Sequence, residues 1–167
     1  MTRQIKYLSN PINMRLLKQH LRIFSTDEDE LIEMYANNAL AYIEDWVCGY
    51  VRDAQETVSV DTVNVNESIL LNNYDSLVSI KSNNTDISVN DFDIKDGYIT
   101  FFKEYPNVVI VYNLVKINIQ YLPQCINLIV GDWYENREGS GLDNKSVSAN
   151  VSTALERMLF MHSLPIK

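Results

Sequence analysis

Histidine and cysteine are scarce in this chain, with two of each among 167 residues. That scarcity removes most routes to a tightly held transition metal, since imidazole and thiolate are the ligands such ions prefer. His20 and His162 sit in helical patterns beside apolar neighbours, and neither has a Ser or Cys nearby in a nucleophile motif. Both read as structural. Cys48 and Cys125 fall inside expected helices with no further Cys or His at ligand spacing, so they read as small core residues rather than disulfide or metal partners. No P-loop, GxGxxG, HExxH or paired CxxC occurs.

Positive charge and long apolar runs are also lacking. Fourteen Lys and Arg stand against 22 Asp and Glu, a net charge of −8. A general nucleic-acid binder needs clustered bases to release counterions from phosphate, so DNA is expected to pass nearby without being gripped. No stretch approaches the ~20 apolar residues of a membrane span, and the opening MTRQIKYLSNP lacks the apolar middle of a signal peptide. The expectation is a soluble protein made in the cytoplasm, with no membrane partner. Apolar residues at 46% and charged residues at 22% describe a globular chain. At this length one domain spanning 1–167 is expected, able to bury roughly 70% of its unfolded surface.

Periodicity then divides the chain. Asn13 to Ile23 reads as a short helix, capped by Asn13 and apolar along Leu16, Leu17 and Leu21. Residues 1–22 hold Arg3, Lys6, Arg15, Lys18 and Arg22 and no acid. A long helix follows over about Thr26 to Val51, where Ser25 with Glu28, or Thr26 with Asp29, supplies a capping-box pattern. The acids Asp27 to Glu30 suit the positive end of the helix dipole. Leu31, Ile32, Tyr35, Ala39, Leu40, Ile43, Trp46, Val47 and Tyr50 continue as a helical stripe.

From about 55 to 119 the period changes to two. Val58/Val60, Val63/Val65, Val78/Ile80, Ile87/Val89, Ile99/Phe101 and Ile117/Ile119 alternate as half-buried strands do. Phase flips between Val60 and Val63, and between Val89 and Phe92, predict bulges or tight bends. Asp96-Gly97 predicts a two-residue hairpin.

Pro123 opens a second long helix to Glu138, with Cys125, Ile126, Ile129, Val130 and Trp133 on one face and Leu128 and Tyr134 widening it. So apolar a helix is expected to be covered on more than one side. Asn136 to Asn150 reads as a mobile loop, and about Val151 to His162 as a last helix stopped by Pro165. The fold class is α+β: antiparallel core helices, a flanking short helix and a C-terminal helix, forming a frame over about 13–51 and 123–163 around an inserted antiparallel β region.

Chemistry is hard to find in this pattern. Asp27-Glu28-Asp29 and Asp91-Phe92-Asp93 could offer carboxylates to a divalent ion, but the first is a helix start and the second lacks the glycine and distal Glu of a calcium loop. Trp46, Trp133 and ten tyrosines could stack on bases, but most occupy core-type helix positions without interleaved bases. No catalytic, cofactor or metal residues are therefore assigned.

Four segments together carry a resemblance. They are Leu17-Lys18-Gln19-His20-Leu21-Arg22-Ile23, Asp27-Glu28-Asp29-Glu30-Leu31-Ile32, the Leu122-Pro123 helix start, and Tyr134-Glu135-Asn136-Arg137-Glu138. In order and rough distance this resembles the gp6-like, or phiE125 gp8-like, head-tail connector family of tailed bacteriophages. The resemblance implies a structural adaptor without enzymatic activity or cofactor. It would form a ring, expected to be twelve-fold, between the portal protein and a tail or stopper protein. Double-stranded DNA would pass through it without sequence-specific binding. The location implied is the virion neck, after assembly in the host cytoplasm. Leu21, Arg22, Pro123, Trp133, Tyr134, Arg137 and Glu138 would be the structural positions of the family motif. Two unlike surfaces could meet between neighbouring copies, Arg15, Lys18 and Arg22 facing Asp27, Glu28, Asp29, Glu30 and Glu33, or could simply be solvated. The alternative is a regulatory or nucleic-acid-associated phage protein outside the virion, also without catalysis.

Overall fold

The computed structural model describes residues 1–136 and 147–160. Its contacts gather into two compact units, one of residues 10–51 with 117–167, the other of 1–9 with 52–116.

The first unit is helical. In α1, Met14–Leu21, the Asn13 side chain accepts from the Leu16 amide at 3.1 Å, as the sequence predicts for a cap. Its end is set by Arg22 at φ 57°, with Arg22 N–H donating to Gln19 O and Ile23 N–H to Lys18 O. That bond pair is a Schellman motif. The long helix α2 runs Asp29–Val47 and ends the same way, with Cys48 at φ 53° and Gly49 N–H on Glu44 O. Cys48 is therefore exposed at a helix stop and not a core residue; Cys125 is buried. Neither capping box forms, because Glu28 occupies the cap position and its side chain makes no capping bond to the helix. The dipole alone favours Asp29 and Glu30 in that first turn.

The second long helix, α3, covers Leu122–Glu135, and α4 covers Ala149–Leu159. Tyr134, in the last turn of α3, donates its hydroxyl to Glu28 ahead of α2. Ile117, ahead of α3, donates to Tyr50 O beyond α2 at 2.7 Å. Each end of α3 thus meets the opposite end of α2, and the two run antiparallel. α3 also packs against α1 and α4, which explains its wide apolar surface. The buried core joins Leu17, Ile32, Leu40, Ile43, Ile129, Leu155 and Leu159. Trp133 is 5% exposed, with Tyr35 and Tyr42 rings each 6.3 Å away. Trp46 is only partly buried, short of what its place on the stripe predicts. Ala149 and Asn150 are helical rather than loop. The rest of that expected loop from 137 to 146 lies outside the described residues, as do Arg137, Glu138, His162 and Pro165.

The second unit contains two antiparallel sheets. The larger has the order β1-β2-β8-β4-β5, from Thr2–Tyr7, Ala54–Val63, Tyr105–Leu114, Tyr74–Ser82 and Thr85–Asp86. The smaller is β3-β7-β6, from Ser68–Leu70, Tyr98–Phe101 and Phe92–Lys95. Asp96 and Gly97 take φ of 53° and 78°, closing the predicted two-residue hairpin between β6 and β7. A 3-10 turn at Val89–Asp91 supplies the second predicted bend. The first is not a bulge: β2 pairs with β8 in constant register from Gln55↔Asn113 to Val63↔Tyr105. Val58 and Val63, of opposite phase, are both buried, so β2 covers one face along part of its length and the other face at its end. The bulges fall instead in β4, which skips Asp75 and Val78 against β8. Val65, Ile87, Val89, Ile117 and Ile119 lie outside strands, and the last two are buried in the helical core.

Within the sheet unit Glu56 is buried at 4% exposure. Arg3 Nη1 donates to Glu56 Oε1 at 3.1 Å, and the Tyr112 hydroxyl donates to Glu56 Oε2. Burial, then the bond to Glu56, pushes the Tyr112 phenol well above its ordinary range. This network fastens β1 to the strand beside it and to β8. Among the described residues, no buried side-chain polar atom lacks a hydrogen-bond partner.

Two outcomes follow from this packing. Trp133→Ala should cost about 3 to 5 kcal/mol and Trp46→Ala clearly less, as measured by denaturant titration; equal losses would misplace α3. Tyr112→Phe should cost about 1.5 to 3 kcal/mol by removing a hydrogen bond to a charged group. The folded chain keeps the Tyr112 proton after the unfolded phenol has lost it. Its contribution is therefore complete below about pH 10 and fades as pH rises above that. Titrating stability from pH 8 to 11 should show a shallower decline in Tyr112→Phe than in the parent.

Candidate assembly interface

The basic N-terminal residues are divided between the two units. Arg3 and Lys6 lie on β1 in the sheet unit, whereas Arg15, Lys18 and Arg22 lie in the helical unit. Arg3 is engaged internally by Glu56. Lys18, whose side chain is 17% exposed, donates to Ser25 O at 2.6 Å and pairs with Asp29. The salt bridge joins α1 to the first turn of α2 within one chain, and it uses one member of each of the two unlike surfaces. Glu28 likewise accepts from Tyr134.

Arg15 and Arg22 remain exposed, as do Asp27, Glu30 and Glu33. In the same turn, between α1 and α2, Phe24 is 89% exposed, and Leu16 is exposed on α1. Sequence reasoning passed over Phe24 because a lone aromatic between helices has no periodic pattern to place it. Of the family-motif positions, Leu21 packs partly against the helical core, Pro123 sits exposed in the first turn of α3, and Trp133 and Tyr134 face α2.

Of the carboxylates considered for metal binding, Glu28, Asp29 and Asp91 have side-chain partners. Asp91 accepts from Tyr105 at 2.7 Å and pairs with Lys103 at 2.6 Å, and the Lys103 bond, followed by the Tyr105 bond, lowers its pKa. Asp53 is lowered in the same way by Ser9 and then Lys116. Among the described residues no group of three or more His, Cys, Asp or Glu could hold a metal ion. No helix among them is long and apolar enough to cross a membrane.

What the two units present, then, is surface: an exposed charged and aromatic turn on a helical frame, and open strand edges on a sheet. This defines an α+β protein. The chain belongs to the phage gp6-like head-tail connector family, which it matches over residues 12–105, more than half its length. That match spans parts of both units and stops before α3. No curated protein matches it in sequence. Among solved structures it is similar to a chain in the neck of an empty GTA particle computed with C6 symmetry, at 13% identity and TM-score 0.57. It is also similar, at 12% identity, to chains in the neck of the native GTA particle computed with C12 symmetry and in the virion of the native gene transfer agent, at TM-scores of 0.55 and 0.54. Each likeness covers 98% of this chain and 97% of the other. The α3 and α4 region outside the family match therefore shares that fold as well.

Charge reversal separates the two kinds of base. Arg15→Glu with Arg22→Glu should leave thermal stability within about 0.5 kcal/mol of the parent, as exposed surface changes do. Lys18→Glu should lower it further, because it sets a second carboxylate against Asp29. Equal melting temperatures for the two variants would deny the Lys18–Asp29 tie.

Proposed function

We propose that this chain is a head-tail connector of a tailed bacteriophage, acting as a structural adaptor and not as an enzyme. It forms a closed ring at the neck, between the portal protein and the tail or stopper protein, after synthesis in the host cytoplasm. The observation that carries this reading is the family match across residues 12–105. It is supported by likeness along nearly the whole chain to proteins from necks computed with C6 and C12 symmetry. Twelve copies is the count proposed.

A ring is built from heterologous contacts, in which one side of each copy meets a different side of the next. The turn carrying Phe24 suits such a contact, since a solvent-facing aromatic becomes an anchor once a neighbour covers it. Arg15, Arg22, Asp27, Glu30 and Glu33 surround it in sequence and supply the charged rim. With a net charge of −8, the ring would let double-stranded DNA slide through without gripping it, over a screening distance of about 8 Å.

Imaging of assembled particles by electron cryomicroscopy is the test. The expected result is a twelve-copy ring of this chain on the head-tail axis, directly beneath the portal. Finding the chain away from that axis, or absent from the particle, would overturn the reading.

A further inference from the structure

The larger sheet ends in two unlike edges. On one side β1 is a regular six-residue strand whose single strand neighbour among the described residues is β2, paired without interruption from Thr2↔Ser59 to Tyr7↔Ala54. Most of it is exposed, including Ile5 at 45%. On the other side the outer edge of β4 is covered only at one end. β5 pairs with Lys81 and Ser82, and the Ile87 amide donates to Ile80 O at 3.1 Å. From Tyr74 to Ser79, among the described residues, β4 has a strand neighbour only in β8. An open edge is a row of unpaired amides and carbonyls, and folded proteins seldom leave two of them without cover or use.

The two edges fit each other in length, direction and charge. The open stretch of β4 is six residues long, and so is β1. Every pairing in the order β1-β2-β8-β4-β5 is antiparallel, so β1 runs opposite to β4 and in the same direction as β5. When copies are related head to tail, the next copy's β1 arrives beside β4 with its direction kept. It makes an antiparallel pair there, in line with β5 and continuing the cover that β5 begins. In that alignment the end of β1 that carries Lys6 lies beside the start of β4, where Asp75, skipped in the pairing with β8, is exposed. Ile5 then falls opposite Ser76, diagonal to Val78, the second bulged residue, which is 48% exposed.

Resting on the ring reading above, we propose that β1 of one copy adds as an antiparallel strand to Tyr74–Ser79 of β4 in the next, joining the sheets of neighbouring subunits. The occupant is a second copy of this chain because the two edges are unlike and complementary. A pair of identical edges would close a twofold dimer instead. Strand addition of this kind takes affinity from main-chain bonds and register from side chains, and here the bulges at Asp75 and Val78 restrict which strand is accepted.

Photo-crosslinking of the full-length chain tests this without assuming a register. A photoreactive amino acid replaces Gln4, the assembled ring is irradiated, and the attachment sites are mapped by mass spectrometry. Attachment between copies is expected within residues 74–79. Rings that attach elsewhere, or not at all, would overturn the strand addition and leave the ring reading intact. Failure to form any ring, in solution or at the neck, would overturn both. A charge swap provides the second arm. Lys6→Asp or Asp75→Lys alone should each weaken ring formation, by roughly fivefold per contact for an exposed ion pair worth about 1 kcal/mol. Combining the two should restore it, with monomer melting temperatures unchanged throughout. Absence of rescue in stably folded variants would count against the proposed alignment.

Discussion

The antiparallel pairing of β2 with β8 is the constraint on which both units depend. The helical core is assembled from two stretches of chain, 10–51 and 117–160, separated by an excursion of 65 residues from Arg52 to Lys116. Bringing the ends of so long a loop together costs on the order of 4 kcal/mol in chain entropy. The ladder that pairs Gln55 with Asn113 meets this cost inside the sheet, since it sets the first and last long strands of the excursion side by side. In the helical unit the returning chain is received by the bond from Ile117 to Tyr50. The buried Glu44 carboxylate closes the departing end by accepting from the Val51 amide. Only then are α2 and α3 held antiparallel, with Trp133 between Tyr35 and Tyr42.

The same ladder explains why a charged side chain is kept inside the sheet unit. Glu56 pairs with Tyr112 across β2 and β8, and its second oxygen holds Arg3. A buried carboxylate would be costly alone, but here it is bonded on both oxygens and supplies a specific tie for the N-terminal strand. β1 therefore joins the sheet from far away in sequence, and the sheet gains a regular outer edge. The Lys18–Asp29 and Tyr134–Glu28 contacts do comparable work in the helical unit. Charges that look like a docking pattern in the sequence are used there to fix the geometry of α1, α2 and α3. The charges left exposed, Arg15, Arg22, Asp27, Glu30 and Glu33, lie in sequence on either side of the exposed Phe24.

Much of this was legible in the residues. The stripe from Leu31 to Val47 and the apolar face of α3 announce helices because both elements bury one side against several neighbours. Asp96-Gly97 announces its hairpin because few dipeptides accept two positive φ angles in succession. β1 was not legible: as an edge strand it is exposed at nearly every position, so burial imposes no alternation on Thr2–Tyr7. Ile117 and Ile119 alternate for a different reason, being residues outside any strand that are buried in the helical core. Nothing in the residue types of Arg22 or Cys48 marks a left-handed helix stop, since glycine is the usual sign. Glu56 could have been noticed, as a lone charge in the inward phase of Ala54 and Val58. Its partners, Arg3 and Tyr112, lie 53 and 56 residues away, where only the fold brings them together.

If the β2–β8 ladder closes the frame, weakening it should loosen the helical unit at the point where the chain returns. Native-state hydrogen exchange, comparing the parent with Val58→Ala, measures this directly. Val58 is fully buried and paired opposite Ile110, so the substitution should lower the protection of the β8 amides. The account predicts that the Ile117 amide loses protection in step with Ile110 and Tyr112. An Ile117 amide as protected as in the parent, while those of β8 exchange faster, would contradict it.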